Sequence, residues 1–310
     1  MSSSWGELIR GPLRGARSTL AAAVAASVER RPSLEPWLVR TGRSMARRSR
    51  FGGGLYWFVQ ESLITRLRRS GIRYRDVEIR GIPMQVDVTD PTGRYPFFYS
   101  KPYKKAVTDA IIMALKPSDV FLDVGAHIGH FSILGARLVG ASGRVIAFEP
   151  QEGARAALLA LAERNGVGAI VEVVAVALAE READVTLHTA GESTAYSTLE
   201  PERSPMRNVA AFRPATVVHA DTLDHWLAAR PGLAARVRCI KIDIEGGEGR
   251  ALAGMAQTLR PLGMTVICET PIGSDADVAL ERAGYQRHRI ERGRQPFGNF
   301  LYVRPGVIGL

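Results

Sequence analysis

Cysteine is nearly absent: Cys239 and Cys268 are the two in 310 residues, and each sits inside an apolar run. That excludes a disulfide framework, and neither has partners at metal-binding spacing, so both read as inert buried thiols in a reducing compartment. No apolar run reaches the roughly 18 residues that a membrane-crossing helix needs, so nothing in the chain is expected to span a bilayer. The segment STLAAAVAASV (18–28), behind Arg10, Arg14 and Arg17, has the outline of a signal peptide, but it is short and alanine-rich and reads first as a helix. Lysine is scarce too, 5 residues against 36 arginines, a bias that fits a GC-rich bacterial genome.

The net charge of +10 is unevenly spread: residues 1–75 hold 15 Arg and 4 acidic residues, a sum of +11, which leaves the rest of the chain at −1. A domain that grips nucleic acid carries a basic stripe across its binding face, so nucleic acid is not an expected partner of the balanced C-terminal part. The basic extension suits peripheral contact with an anionic membrane. The expected location is therefore cytoplasmic, with at most a peripheral membrane contact.

With 46% hydrophobic and 23% charged residues, the chain can bury one large α/β core and carry an extension. Three segments are expected: a basic, mainly helical extension over 1–75, a lead-in hairpin and helix over 76–115, and the main domain over 116–305. LYWFVQESLITRLRR (55–69) has apolar residues at helical spacing and reads as an amphipathic helix that docks on the protein's own surface before any membrane. VEIRGIPMQVDV (77–88) alternates about Gly81 like a hairpin, and KKAVTDAIIMALKPSD (104–119) reads as a helix stopped by Pro117. Strands follow at VFLDVGA (120–126), RVIAFEP (144–150), IVEVVAVAL (170–178), CIKIDIE (239–245) and MTVICET (264–270), with helical segments between them. This alternation predicts a doubly wound, mostly parallel sheet, which YQRHRIER and NFLYVRP close as an antiparallel hairpin. The polar insertion over 180–214 is long enough to be a lid or substrate loop.

The first of these strands runs into DVGAHIGHFS (123–132), where Gly125 and Gly129 let the backbone turn sharply and approach a ligand. The spacing is G-x-x-x-G, so the dinucleotide fingerprint is missing. D-x-G-x-x-x-G suits instead a nucleoside that bears an amino acid and no phosphates, with Asp123 helping to hold a cationic group. The second strand ends in Glu149, 24 residues after Gly125, where an acid can accept both ribose hydroxyl protons. The fourth ends in IDIEGGEGR, with Asp243, Glu245 and Glu248 crowded around Gly246 and Gly247. Ionised groups are costly to bury without partners, so this end is expected at the water-facing edge where open α/β sheets bind ligands. Glu245 or Glu248 can cap the next helix, and Glu248 is the first choice. Of the histidines His127, His130 and His219, only His127 is a catalytic candidate. Asp243, Glu245 and Glu269 are conceivable Mg²⁺ ligands, but no spacing demands a metal and none is expected.

In order and spacing, FLDVGAHIGHFSIL, VIAFEP, VVAVAL, DTLDHW and IKIDIEGGEGRALAGM resemble the FkbM-type S-adenosylmethionine-dependent methyltransferases, over about residues 116–305. Position 127 is His where that family more often has Asn. The resemblance implies a Rossmann-like class I methyltransferase fold, S-adenosylmethionine as donor, and O-methylation of a sugar, glycan or small-molecule hydroxyl. It implies the methionine moiety near Asp123, Gly125, Ala126 and Gly129, the ribose on Glu149, and the adenine beside Ala175 and Val176. It also brings Asp243 to the acceptor, to orient its hydroxyl or take its proton, with Glu269 as the next acceptor contact. Two alternatives stay open, a ribose methyltransferase acting on RNA and a non-catalytic, membrane-associated relative. Base N-methylation is disfavoured, because a proline-aromatic motif typically follows the fourth strand in such enzymes and here DIEGGE does.

Overall fold

A computed structural model describes residues 23–306, apart from 24–25, 29, 32, 49–59, 61–62, 65, 68–72, 191–196, 209–210, 261–263, 292 and 294. It divides into two compact units, Met1–Tyr103 and Lys104–Leu310, so the expected lead-in over 76–115 is split between them.

In the first unit, helix α1 (Leu34–Arg48) precedes the antiparallel hairpin β1 (Tyr74–Ile79) and β2 (Ile82–Asp87). Arg80 and Gly81 make the turn at φ +54° and +80°, the two left-handed residues that a tight hairpin requires. Helix α2 (Pro91–Tyr99) escapes sequence reading because PTGRYPFFY has neither helical periodicity nor good helix formers. Local capping and packing carry it instead. Pro91 opens the helix, Asp90 Oδ1 accepts the Thr92 N–H at 2.8 Å, and Phe98 is fully buried. Phe98 joins Val28, Leu63, Ile64, Leu67 and Val86 in a common core. The segments 18–28 and 55–69 lie largely outside the described residues, but the apolar side chains described in the second are consumed inside this unit. Buried Glu35 accepts from Arg75 Nε at 2.7 Å and Nη2 at 2.9 Å, so part of the basic charge is matched internally.

The second unit opens with helix α3 (Lys105–Ala114). Then follow β3 (Val120–Val124), α4 (His130–Val139), β4 (Arg144–Phe148), α5 (Glu152–Arg164) and β5 (Val171–Val174). The expected single strand over 170–178 is broken here. The chain leaves β5 at Ala175, and β6 (Ala177–Leu178) pairs instead with β9 (Phe212–Asp221), in a four-stranded sheet with β7 (Ala183–Ala190) and β8 (Ser197–Thr198). Helices α6 (Leu223–Ala228) and α7 (Pro231–Ala234) lead to β10 (Val237–Ile242), α8 (Glu248–Ala253), β11 (Thr265–Pro271), α9 (Asp275–Arg282), β12 (Gln286–Arg289) and β13 (Phe297–Val303). The main sheet has the order β12-β13-β11-β10-β3-β4-β5. β10, β11, β3, β4 and β5 are parallel, and β13 runs antiparallel between β11 and β12.

All five residues of β3 are buried, as expected for a central parallel strand covered on both faces. The core between sheet and helices takes Val120, Leu122, Ile240, Ile242, Leu252 and Val266, and Phe148 meets Trp226 edge to face at 5.2 Å between ring centres. The chain winds outward from β3 through β4 to β5, then returns to β10 on the other side of β3. That reversal puts the crevice at the carboxyl ends of β3 and β10, where ligands bind in this architecture.

Leu67→Ala removes a fully buried side chain, and we expect it to destabilise the first unit by about 2–5 kcal/mol in urea unfolding. Unchanged stability would mean that this segment is not part of the core.

Candidate active site

Register assembles the site. Lys241 pairs with Asp123 across β10 and β3, and Asp243 lies one residue past the Ile242–Cys268 pair, which brings it beside Glu269. Side chains far apart in sequence thereby meet at one sheet edge.

Asp123 is fully buried, its Oδ1 3.2 Å from Lys241 Nζ and its Oδ2 accepting from Ser132 Oγ at 2.6 Å. This departs from the expectation that Asp123 faces a cationic ligand: its charge is already met inside the protein. Lys241 Nζ also donates to the Gly125 carbonyl at 2.8 Å, so the pair fixes the start of the glycine loop. Gly125 and Gly129 stand at φ +74° and +88°. A Cβ on Gly125 would overlap the Asp243 carbonyl, and one on Gly129 would come within 2.6 Å of Leu158. Packing between neighbouring elements, more than approach of a ligand, therefore demands these glycines. Ala126 is buried between them. His127 sits at φ +51°, a region that His and Asn enter more readily than most residues.

The His127 N–H donates to Glu149 Oε2 and the Gln151 N–H to Glu149 Oε1, each at 2.9 Å. Burial pushes the Glu149 carboxyl up, and these two donors oppose the shift. His127 is thus joined to Glu149 through its backbone. Ala175 is exposed and Val176 half-buried at the end of β5, where Glu149 N donates to the Val174 carbonyl at 3.1 Å. His130 is buried at the start of α4, and His219 lies on β9 near Glu182 and Asp184.

The opposite side of the crevice is acidic. Carboxylate oxygens of Asp243, Glu245 and Glu269 all lie within 4.8 Å of one another. Lys104 Nζ, at the start of α3, donates to Asp243 Oδ2 and to Glu269 Oε2, both at 2.8 Å. Sequence reading missed Lys104 and passed over Lys241. The signal was their type: in a chain that nearly always uses arginine, two of five lysines stand here. Asn299 Nδ2 takes the other Glu269 oxygen at 3.2 Å and also donates to Glu291 at 2.9 Å.

These neighbours separate the acids electrostatically. Burial alone would raise Asp243, but the Lys104 and Lys241 ammonium groups outweigh it and hold Asp243 well below the usual carboxylate range. Burial and then the Asp243 charge push Glu269 upward. The same two causes lift Glu245 to about 7. Glu245 also stands at φ +59°, a left-handed conformation uncommon for a residue with a Cβ.

Glu248 braces this turn: its Oε1 accepts the N–H groups of Ile244 and Gly246, each at 3.1 Å. From the first turn of α8 it therefore ties down the loop that leads into the helix. The insertion packs on the same turn, since a Cβ on Gly246 would come within 2.8 Å of the Arg203 backbone. Arg250 clamps the insertion through Glu180 at 2.6 Å and Glu200 at 2.8 Å.

A raised acid favours the protonated fold: its contribution to stability is complete below the unfolded pKa and is lost as pH rises through the folded value. For Glu245 the loss therefore runs from the ordinary carboxyl value of 4.5 up to about 7 and is complete above it. We expect Glu245→Gln to be more stable than wild type at pH 8, on the order of 2 kcal/mol, and to lose that advantage near pH 5. Urea unfolding at both pH values checks this, and an advantage independent of pH would refute the shift.

The profile of the family described as Methyltransferase FkbM domain matches residues 123–287. No curated protein sequence matches the chain. Among solved structures, the chain is similar to the methyltransferase FkbM from Methylobacillus flagellatus KT, at 15% identity and TM-score 0.37 over 64% of this chain and 50% of that one. It is similar to an rRNA methylase from Streptococcus thermophilus at 14% identity and TM-score 0.39, over 66% and 97% of the two chains. It is also similar to Aeropyrum pernix fibrillarin, solved with S-adenosyl-L-methionine, at 12% identity and TM-score 0.39 over 74% and 82%. The family match spans more than half the chain, from Asp123 at the end of β3 to Arg287 in β12, and takes in the ends of all five parallel strands: the protein belongs to the FkbM methyltransferase domain family.

Proposed function

We propose that this methyltransferase acts on a hydroxyl of a sugar, glycan or other small molecule, receiving the donor along the edge from Gly125 to Glu149 and the acceptor at the carboxylate cluster. The observation that carries this reading is the division of labour among adjacent acids, with Asp243 held ionised and Glu245 raised to about 7. Transfer to a hydroxyl must discard a proton, and a carboxyl that titrates near neutrality is the efficient group to take it.

The residues fit S-adenosylmethionine. Each Glu149 oxygen accepts one backbone N–H and retains a second lone pair for a ribose hydroxyl. Beside it, Gln151 Oε1 is buried with no hydrogen-bond partner among the described residues, a second acceptor for a ligand hydroxyl. When bound, S-adenosylmethionine supplies the electrophilic methyl group. Glu149 holds the ribose, the Gly125–Gly129 loop lies along the methionine moiety, and Ala175 and Val176 leave room for the adenine. Asp243 accepts a hydrogen bond from the acceptor hydroxyl and sets its direction. The proton then passes to Glu245. Asp243 itself is a weak base beside Lys104, so the proton-accepting role moves two residues along from where the sequence suggested. Residues 1–75 suit a peripheral, cytoplasmic contact with anionic lipid through charge.

We expect wild type to bind S-adenosylmethionine in calorimetry and Glu149→Ala to bind it about 10- to 100-fold more weakly, the loss of two hydrogen bonds to a charged group. Undiminished affinity would remove Glu149 from the donor site. In single-turnover assays over a panel of sugar and phenol acceptors, Glu245→Gln should slow transfer about 10²–10⁴-fold and abolish the rise in rate through neutral pH. A variant that keeps the wild-type pH profile would exclude Glu245 as the base. Co-sedimentation with phosphatidylserine vesicles should fall as salt rises, because a polybasic contact is screened; salt-insensitive binding would argue against a contact through charge.

A further inference from the structure

We propose that the Lys104 ammonium is the resident cation of the acceptor site, holding the place between Asp243 and Glu269 that a divalent metal would otherwise take. Transfer then proceeds without a metal, and the acceptor is received by hydrogen bonds rather than by chelation to a metal. The inference rests on the hydroxyl-methylation reading above.

Three carboxylates with oxygens within 4.8 Å of one another offer hard oxygen donors of the kind that bind Mg²⁺ or Mn²⁺. Such a cluster needs a positive charge within it, because like charges in a partly buried site repel one another. Lys104 provides it from the middle of the cluster, 2.8 Å from Asp243 Oδ2 and 2.8 Å from Glu269 Oε2. A bound Mg²⁺ would need those same oxygens at about 2.0–2.1 Å, so the ammonium and the metal exclude each other.

The residue type fits the task. An ammonium is a compact point charge that fits between two carboxylate oxygens, whereas a guanidinium presents a planar fork. The chain uses lysine here against its strong preference for arginine. The backbone also holds the position. Lys104 stands at φ +37°, in the left-handed region, and its carbonyl accepts the Thr108 N–H at 3.0 Å as the first turn of α3. Lys241 cannot take over, because it is engaged with Asp123 and the Gly125 carbonyl and stays 4.0 Å from Asp243 Oδ2. Two vicinal oxygens of an acceptor chelate a metal through open coordination positions, and an ammonium has none. An acceptor must therefore dock by hydrogen bonds to the carboxylates.

The test is Mn²⁺ titration of the full chain, followed by paramagnetic resonance of the free ion, with no donor or acceptor present. Wild type should show no saturable uptake that depends on Glu269. Lys104→Met, similar in length and uncharged, should take up one Mn²⁺ at least about tenfold more tightly, and the added change Glu269→Gln should abolish this. Saturable uptake by wild type that Glu269→Gln removes would overturn the proposal. So would a folded Lys104→Met that gains none. If Lys104→Met does not fold, wild type against Glu269→Gln still decides. Donor calorimetry and the single-turnover assay test the methyltransferase reading separately, so the two can fail independently.

Discussion

The ion pair between Lys241 and Asp123 is the contact on which the site's geometry depends. The two side chains are 5% and 0% exposed, lie 3.2 Å apart, and join the central strands β3 and β10 at the sheet's reversal point. Burial of either charge alone is prohibitive, and breaking such a pair by removing one partner costs roughly 3–5 kcal/mol. Because Lys241 also holds the Gly125 carbonyl, the pair couples the packing of the sheet to the path of the glycine loop. The loop then delivers the His127 N–H to Glu149. A charge pair hidden beneath the site thus sets the shape of its glycine loop.

The carboxylate cluster follows the same logic one layer out. Carboxylates at the ends of β10 and β11 are kept together by two lysines and one asparagine, and their unequal access to those partners pushes their proton affinities apart. Environment, more than residue type, distinguishes the acid held ionised from the acid that titrates near neutrality. The left-handed turn at Glu245 and Gly246 is held from below by Glu248 and from above by the insertion. The loop over 199–208 is therefore more than a connection, since it packs against the residue next to the titrating acid.

Membership of the family fixes methyl transfer as the reaction type and leaves the acceptor open. Lys104 lies ahead of the matched span, and the four-stranded sheet built from the insertion lies between the third and fourth parallel strands of the main sheet. The first unit is arginine-rich in sequence, and its described apolar side chains, among them Leu63, Ile64 and Leu67, are buried in its own core. Among the described residues, no helix is long and apolar enough to cross a membrane.

The sequence by itself determined the strand and helix alternation, the closing hairpin, the glycine loop and the carboxylates at the strand ends, because periodicity and turn chemistry are local. It also carried the resemblance to the FkbM family that the profile match bears out. Helix α2 was hidden, since its proline and aromatics are held by a tertiary core and not by propensity. The break between Val174 and Ala177 was hidden because β6 pairs with Ala220 and Asp221, some 40 residues on. The roles of the acids were decided only by tertiary structure. Which carboxylate is buried, which is paired and which is left to titrate depends on lysines brought from positions 104 and 241, and a charge is felt through space and dielectric rather than along the chain.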